Sequence, residues 1–271
     1  MHTHLLIRVG EIFLKGKNKN LFENKLVDNL KKITGKPVKK LRSRYVLEYF
    51  VNHCIIKNVF GLTSYSPALK VEKDIEKIKE AALKLVKKGT FKVETKRSDK
   101  SFPIKSLEIN RIVGKYVEDN SPAEFRMKQP QLILSIEINQ DLAYLFTERI
   151  SCFGGLPTGV EGRVLLLVED SASLLAGLLF MKRGSSIYPV SFSKKDISFL
   201  QNFNPEKLNL IIIKDFFELE RFSEKKKINL LVSGQTFKTY EQYGVGLTTF
   251  RPLIAYDQKE IKGLLSTFNF Q

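Results

Sequence analysis

The densest group of chemically useful side chains in the sequence is a set of four cations around one aromatic ring. Lys96, Arg97, Lys100 and Lys105 flank Phe102 within ten residues. Cations bind phosphates and an aromatic ring can stack on a base, so this combination suits a grip on single-stranded nucleic acid. Two interpretations of Phe102 stay open, because the ring could be a stacking platform or a core residue.

A second basic group lies in the segment GEIFLKGKN, residues 10–18, and the position that follows it. Lys15, Lys17 and Lys19 occupy the connection between a predicted strand and a predicted helix. Glycines in the segment free the backbone, so that the start of the helix can approach phosphate groups. The alternative is a solvated basic loop. Arg111, on the helix predicted to follow the first cluster, completes the candidate nucleic-acid-binding set.

The charge is distributed unevenly along the chain. The 271 residues carry a formal net charge of +16, from 45 basic and 29 acidic side chains. Residues 1–120 hold a net +14 and residues 121–271 hold +2, so the first part is predicted to meet a polyanion. A hydrophobic share of 43% excludes disorder as the main state. No apolar run reaches the about 20 residues of a spanning helix, and no leader is recognised. We therefore expect a cytoplasmic protein without a membrane partner.

Residues 1–72 are predicted to form a ferredoxin-like domain with the element order β-α-β-β-α-β. Its first helix, over 18–34, has apolar side chains at helical spacing, and Gly35 follows its end. Pro67 argues that the last strand is an edge strand or a bent one. The remaining elements are predicted as strands at 3–9, 38–50 and 64–72 and a short helix at 51–60.

Two further segments follow, and together they predict an α/β protein whose N-terminal half is α+β. Residues 73–152 show two helical patterns, a strand at 91–97 and a hairpin over 132–148. A Gly/Pro-rich linker at 153–162 marks the next boundary. From 153 to 271 apolar strands alternate with helices, which predicts a doubly wound parallel sheet.

Four segments in this order resemble the tRNA 4-thiouridine synthase family, whose members are also associated with thiamine biosynthesis. They are GEIFLKGKN (10–18), FKVETKRSDKSFPIKSLEIN (91–110), GGLPTGVEGRVLLLV (154–168) with MKRG (181–184), and RPLIAYDQKEI (251–261). The resemblance implies a ferredoxin-like domain at 1–72, a THUMP domain that grips tRNA at 73–152, and an adenylating PP-loop domain at 153–271. In the family, ATP activates a uridine so that a persulfide sulfur can replace its oxygen.

The adenylation loop departs from the family pattern SGGxDS. Glu169 and Asp170 stand where the glycines are expected, and Ala172 stands in place of the aspartate. Carboxylates suit the start of a helix, but each repels a phosphate at ~4 Å by several kcal/mol at intermediate dielectric. We therefore expect a degenerate nucleotide site with no catalytic residue. Its members are Glu169, Asp170, Ser171, Ala172, Ser173, Gly234 of the segment SGQT, and Asp257.

The sulfur chemistry of the family is also expected to be missing. The family's acceptor cysteine lies downstream of a segment like 251–261, and the sequence given ends ten residues later. We therefore expect neither that cysteine nor a rhodanese-like extension. Cys54 and Cys152 lack a CxxC partner and are expected to pack as small buried hydrophobic side chains. No metal site is expected, because the three histidines have no partner cluster.

Three functional hypotheses remain. The favoured one is a non-catalytic tRNA-binding protein in tRNA thio-modification, without a cofactor, which presents tRNA alone or to a catalytic subunit. The second is an active, ATP-dependent tRNA sulfurtransferase that makes 4-thiouridine with sulfur from a separate carrier. The third is a scaffold or dimerisation module, against which the basic cluster argues. We also expect a homodimer that uses the neutral surface, since one tRNA needs a contact to its body and another to its acceptor end.

Overall fold

The computed structural model describes residues 2–10, 12, 16–140 and 142–268, apart from the side chain of Lys17. The chain divides into two compact units. The first unit comprises residues 1–8, 37–53 and 64–151, and the second comprises 9–36, 54–63 and 152–271. Residues of the predicted ferredoxin-like domain are therefore found in both units.

The described residues form fourteen strands and seven α-helices. The strands are β1 His4–Val9, β2 Lys39–Lys40, β3 Tyr45–Glu48, β4 Leu62–Glu72, β5 Gly89–Arg97, β6 Ala123–Phe125, β7 Leu132–Ile138, β8 Leu142–Phe146, β9 Ile150–Ser151, β10 Arg163–Leu167, β11 Ser186–Ser191, β12 Ile211–Ile212, β13 Leu230–Val232 and β14 Thr248–Phe250. The α-helices are α1 Lys19–Thr34, α2 Ile75–Leu85, α3 Ser106–Asn120, α4 Ser171–Lys182, α5 Ser198–Gln201, α6 Phe216–Lys226 and α7 Gln258–Phe268. None of these helices has the length and apolar character needed to cross a bilayer.

The first unit is organised by one continuous sheet in the order β2-β3-β1-β4-β8-β7-β5-β6. Strand β9 pairs with β4 beside this path. Helices α2 and α3 pack on one face, where Phe91, Ile109, Val113 and Leu134 belong to one buried core. Asp74 caps α2 by accepting hydrogen bonds from the first turn. Strands β7 and β8 pair antiparallel, which confirms the predicted hairpin.

Strand β4 corrects one of the two alternatives drawn from Pro67, the edge strand; the bent strand stays a prediction. The strand is central in the sheet, and its two halves have different partners on one side. Ser64 and Tyr65 pair with β9, whereas residues 69–72 pair with β8. Pro67 lies between these two ladders. The missing N–H of proline is tolerated in a central strand because the partner changes at this point.

A buried ion cluster connects strands of the first unit that are distant in sequence. Arg8 of β1 donates to Ser66 of β4 at 3.0 Å and to Glu137 of β7 at 3.0 Å. Arg44 donates from Nε to the other carboxylate oxygen of Glu137 at 2.9 Å. The Arg8 guanidinium also lies 4.7 Å from the centre of the Phe146 ring. The buried charges are therefore paired and hydrogen-bonded, as a low-dielectric interior requires.

The second unit contains a parallel sheet in the order β12-β11-β10-β13-β14. Successive residues of β10 point to opposite faces, so Leu166 belongs to one buried cluster and Leu165 and Leu167 belong to the other. This burial on both faces confirms the predicted doubly wound arrangement. Helix α1 also belongs to this unit, and Asn29 anchors it by donating to the carbonyl of Thr158 at 3.0 Å.

Short elements account for most differences from the predicted secondary structure. The helix predicted at 51–60 is a 3-10 helix, His53–Asn58. Of the apolar segment LNLIIIK, residues 208–214, only Ile211–Ile212 pairs as a strand. Strands β6, β9 and β14 and helix α5 were not predicted, because two to four residues are too short to show a period.

The ion cluster yields a prediction about acid stability. Burial raises the pKa of Glu137, but the Arg44 and Arg8 guanidiniums outweigh it and hold the pKa below its ordinary value of 4.5. A carboxylate with a lowered folded-state pKa stabilises the protein above its unfolded pKa, and this stabilisation is lost as the pH falls. We expect Glu137→Gln to lower the free energy of unfolding by about 3–5 kcal/mol at pH 7, because it leaves buried Arg8 unpaired. The difference from wild type should shrink below pH 4.5.

The measurement is urea denaturation at several pH values between 3 and 7. Glu94→Gln is the matched control, since Glu94 is half-exposed and pairs only at the surface with Lys92. Equal losses for the two variants, or a loss at Glu137 that does not depend on pH, would contradict the role assigned to the cluster.

Candidate functional site

The carboxyl edge of the parallel sheet is the first candidate site. The strand order reverses between β10 and β13, since β11 and β12 lie on one side and β14 on the other. Ligands of doubly wound sheets bind at such a reversal, outside the carboxyl ends of the strands. The loops that leave the sheet here contain Glu169 and Asp170 after β10 and Ser233 and Gly234 after β13.

The start of α4 is closed by its own side chains. Asp170 accepts a hydrogen bond from the backbone N–H of Ser173 at 3.0 Å. In return, the hydroxyl of Ser173 accepts from the backbone N–H groups of Glu169 and Asp170, at 3.1 and 3.4 Å. This capping box occupies backbone donors that a phosphate-binding loop would turn toward its ligand.

Glu169 is held by a buried tyrosine. The Tyr243 hydroxyl donates to the Glu169 carboxylate at 2.7 Å and lies 3.0 Å from the hydroxyl of Ser233. Glu169 is exposed as a residue, but partial burial of its carboxyl raises the pKa, and Asp170 adds to the rise. Burial also raises the pKa of Tyr243, so the phenol keeps its proton and remains a donor. The contact links the loops after β10 and β13.

Gly234 allows these two loops to approach closely. A Cβ at this position would lie 2.6 Å from the backbone carbon of Ala172, which no real side chain tolerates. Arg251 also lies at this edge, where its Nε donates to Gln235 at 2.8 Å and its guanidinium stands 5.5 Å from the Tyr243 ring centre. Side chains at the carboxyl edge of the parallel sheet therefore contact and hydrogen-bond one another.

The structure brings together most of the residues predicted for the nucleotide site. Glu169, Asp170 and Gly234 lie in the two adjoining loops, and Ser171, Ala172 and Ser173 begin α4. Asp257 is engaged at the start of α7, where it accepts from the backbone N–H of Glu260 at 2.8 Å. Tyr243 was missed because it lies outside the recognised segments, and Arg251 was missed although it begins the segment 251–261.

The basic cluster of the first unit lies at the end of β5 and the start of α3. Lys96, Lys100, Lys105 and Arg111 are exposed, so their charges are available to a ligand. Lys96 lines a pocket of about 290 Å³ on the sheet face opposite α2 and α3. Three arginines missed by sequence reasoning line the same pocket: Arg8, Arg44 and Arg149. The sequence did offer a clue to Arg8, because a charged residue interrupts the apolar strand HLLIRV.

Phe102 and Arg97 have structural roles. The Phe102 ring is only 6% exposed and belongs to the core beneath α2 and α3. Arg97 donates from Nη1 to the backbone carbonyls of Phe102 and Ile104, both at 2.8 Å. The burial of the ring favours the packing alternative for Phe102 over the stacking one. Arg97 supports the loop that carries Lys100.

The second basic group is described only in part. Lys15 and the side chain of Lys17 lie outside the described residues. Lys19 is half-exposed at the start of α1, 3.8 Å from the buried carboxylate of Glu23. A phosphate-binding role for these three lysines stays a prediction.

The two cysteines differ in their surroundings. Burial raises the pKa of Cys152 to about 12, so this thiol stays protonated and is a poor nucleophile. Cys54 is exposed, which corrects the expectation that both cysteines are buried. The expectation was wrong for Cys54 because the helix predicted around it is a short 3-10 helix that presents the thiol to solvent.

We expect Phe102→Ala to lower the free energy of unfolding by about 3–5 kcal/mol, because it removes a buried ring from a packed core. Leu107→Ala is the matched control nearby, since Leu107 is 83% exposed and should change stability by no more than about 0.5 kcal/mol. Chemical denaturation of both variants tests this expectation. A Phe102→Ala variant as stable as wild type would contradict the core assignment and restore the stacking alternative.

Comparisons with known proteins agree with this architecture. A family model described as the ThiI ferredoxin-like domain matches residues 4–66, and one described as the THUMP domain matches residues 72–148. Two solved structures share the fold with a TM-score of 0.85. One is a protein of Pyrococcus horikoshii Ot3, 27% identical, with 99% of this chain and 100% of that chain covered. The other is a 4-thiouridine synthetase in complex with RNA and ATP, 23% identical, with 99% and 85% covered.

Curated relatives extend the match along the sequence. A probable tRNA sulfurtransferase of Natranaerobius thermophilus is 31% identical, over 98% of this chain and 83% of the relative. That of Brevibacillus brevis is 38% identical, over 69% of this chain and 51% of the relative. The chain spans about half the length of most of the curated relatives considered. With a ferredoxin-like domain, a THUMP domain and a PP-loop-like parallel sheet, the chain belongs to the tRNA sulfurtransferase family.

Proposed function

We propose that the chain binds tRNA through its basic first unit and acts in tRNA thio-modification without adenylating the RNA itself. The observation that carries the second half of this proposal is the closed start of α4, where Asp170 and Ser173 cap each other. In the alternative, the chain is an active sulfurtransferase that makes 4-thiouridine with ATP.

Charge and exposure support the proposal that the chain binds tRNA. The residues of the first unit carry 22 basic and 14 acidic side chains, a net charge of +8, and Lys96, Lys100, Lys105 and Arg111 are exposed on one stretch of it. Relatives of the chain are named tRNA sulfurtransferases, and the THUMP model covers this stretch. A basic, exposed loop beside a THUMP sheet suits the phosphate backbone of RNA, which dominates nucleic-acid affinity.

The side chains at the carboxyl edge of the parallel sheet support the proposal that the chain does not adenylate RNA. A triphosphate bound at this edge would meet the carboxylates of Glu169 and Asp170, and neither makes a direct salt bridge in the described part of the chain. Each carboxylate at ~4 Å from a phosphate would weaken phosphate binding by several kcal/mol at intermediate dielectric. A degenerate PP-loop therefore fits these residues better than an adenylating one.

The alternative has its own supporting observations. The names of the relatives describe sulfur transfer, and Gly234 and Asp257 keep the residue types expected in the family. In this alternative the sulfur comes from a separate carrier, and the buried Cys152 thiol is a poor substitute because burial raises its pKa. In either case a second copy of the chain or a catalytic subunit is a proposed partner, so that one tRNA is held at its body and at its acceptor end.

The RNA-binding surface can be tested with three exposed lysines. The triple variant Lys96→Ala, Lys100→Ala and Lys105→Ala should weaken binding of tRNA by at least about tenfold, because three phosphate contacts are lost. The slope of log affinity against log salt should fall by about 2, since each single-strand phosphate contact contributes about 0.7. Gel-shift titrations at two salt concentrations measure both quantities.

The control for this test removes the same charge from the same unit. Lys84, Lys87 and Lys88 are exposed at and beyond the end of α2. Changing all three to alanine should leave the tRNA affinity within a few-fold of wild type. If the two triple variants lose the same affinity, the surface assigned to RNA is wrong and only the net charge matters.

The nucleotide hypothesis predicts no saturable binding of ATP with magnesium by calorimetry at physiological concentration. The variant Glu169→Gln with Asp170→Asn removes both charges, while asparagine keeps the helix cap. If repulsion is the reason, this variant should bind ATP more tightly than wild type. Glu218→Gln at the start of α6 serves as the control. Micromolar binding by the wild-type protein that the double variant loses would favour the active sulfurtransferase.

A further inference from the structure

A second pocket lies at the opposite end of the parallel sheet. This cavity of about 430 Å³ opens at the amino ends of β11 and β12 and is bounded by α1, the end of α6 and the loop before β12. All of its lining residues belong to the second unit. None of the residues predicted for RNA or nucleotide binding lines it.

Three lysines converge on this pocket from three different elements. Lys25 comes from α1, Lys207 from the loop before β12, and Lys226 from the last turn of α6. The acidic side chain in the lining, Glu206, is bonded to Lys32 at 2.8 Å. Among the described residues Lys25, Lys207 and Lys226 make no salt bridge, so the lining keeps an excess of positive charge.

The position of the Lys25 ammonium group depends on Gly159, which has no side chain. A Cβ at Gly159 would stand 3.1 Å from Lys25 Nζ and 3.0 Å from the hydroxyl oxygen of Ser186. The backbone of Gly159, at φ +86°, leaves the space that the ammonium group occupies. A half-buried lysine with an adjacent hydroxyl is an arrangement that binds a phosphate as a point charge with a hydrogen-bond donor.

The remaining walls are aromatic and apolar. Tyr188 and Phe222 lie beside Lys226, whose Nζ is 5.8 Å from the first ring centre and 5.9 Å from the second. Ile187 and Leu208 add apolar surface. Ligand pockets combine such an apolar lining with a few polar groups that fix orientation. Here the polar groups are cations, so the ligand should be an anion with a flat or apolar part.

We propose that this pocket binds the phosphate group of a nucleotide, with Lys25, Lys207 and Lys226 on the phosphate and Tyr188 beside the base. The nucleotide can come from a free mononucleotide or from an RNA chain, because both present the same chemistry. The proposal does not rest on RNA binding by the first unit, since the pocket residues lie entirely in the second unit.

The test uses the full chain and two probes, AMP and intact tRNA. The variants Lys25→Gln and Lys226→Gln each remove one pocket charge. Lys31→Gln on α1 and Lys225→Gln on α6 are the matched controls, because both lysines are exposed and neither lines the pocket. Calorimetry measures AMP binding, and gel shifts measure tRNA binding. Thermal melting checks that all four variants remain folded.

We expect AMP to bind saturably, each pocket variant to weaken it about tenfold, and the controls to bind as wild type does. If AMP does not bind but the pocket variants alone weaken tRNA binding, the phosphate belongs to the RNA chain, and the proposal holds with that source. Equal effects of pocket and control variants, or no effect on either probe, would overturn it. Failure of the proposed RNA-binding surface is a separate result, because losing tRNA binding at Lys96, Lys100 and Lys105 leaves AMP binding unchanged.

Discussion

Strand β4 constrains the first unit more than any other element does, because its eleven residues pair with different strands along their length. Pairing fixes the register, and a shift by one residue would turn every side chain to the other face. The register places Ser66 of β4 within hydrogen-bond distance of Arg8, and the same sheet carries Glu137 to that guanidinium. A buried arginine is tolerable only with such partners. The ion cluster therefore depends on the continuity of the sheet, and the pocket it lines depends on the ion cluster.

In the second unit the scaffold and the chemistry are encoded separately. Strand β10 is apolar at every buried position and is covered on both faces, which fixes the sheet without specifying a ligand. The ligand is decided by the loops that leave the sheet. After β10 the chain carries Glu169 and Asp170, and it satisfies the start of α4 with its own carboxylate and hydroxyl. A glycine-rich loop would leave those backbone donors for a phosphate. The same fold can thus keep its core and change its chemistry through a few loop residues.

Periodic segments were predictable from sequence, and contacts across long separations were not. The spacing of Phe22, Leu26 and Leu30 predicts α1, and these side chains are buried as that spacing requires. The Arg8–Glu137 pair joins residues 129 positions apart, and no local pattern reports such a contact. Phe102 lies between these two cases, because the sequence allowed both a core position and a binding surface. A single aromatic residue beside cations has the same sequence signature in a core as on a binding surface, and only the packing around it decides.

The distribution of ion pairs explains why an excess of lysine need not give a uniformly basic surface. On the helices of the first unit, Lys77, Lys79 and Lys115 lie three or four positions from an acidic residue and pair with it. Such pairs add little stability, but they cancel the field of the helix faces. In the loop between β5 and α3, Asp99 pairs with Lys73, whereas Lys100 and Lys105 make no salt bridge among the described residues. The field of the unit is therefore concentrated at this loop. Concentrated charge, rather than total charge, is what orients a polyanion, because exposed charges are screened beyond about 8 Å at physiological salt.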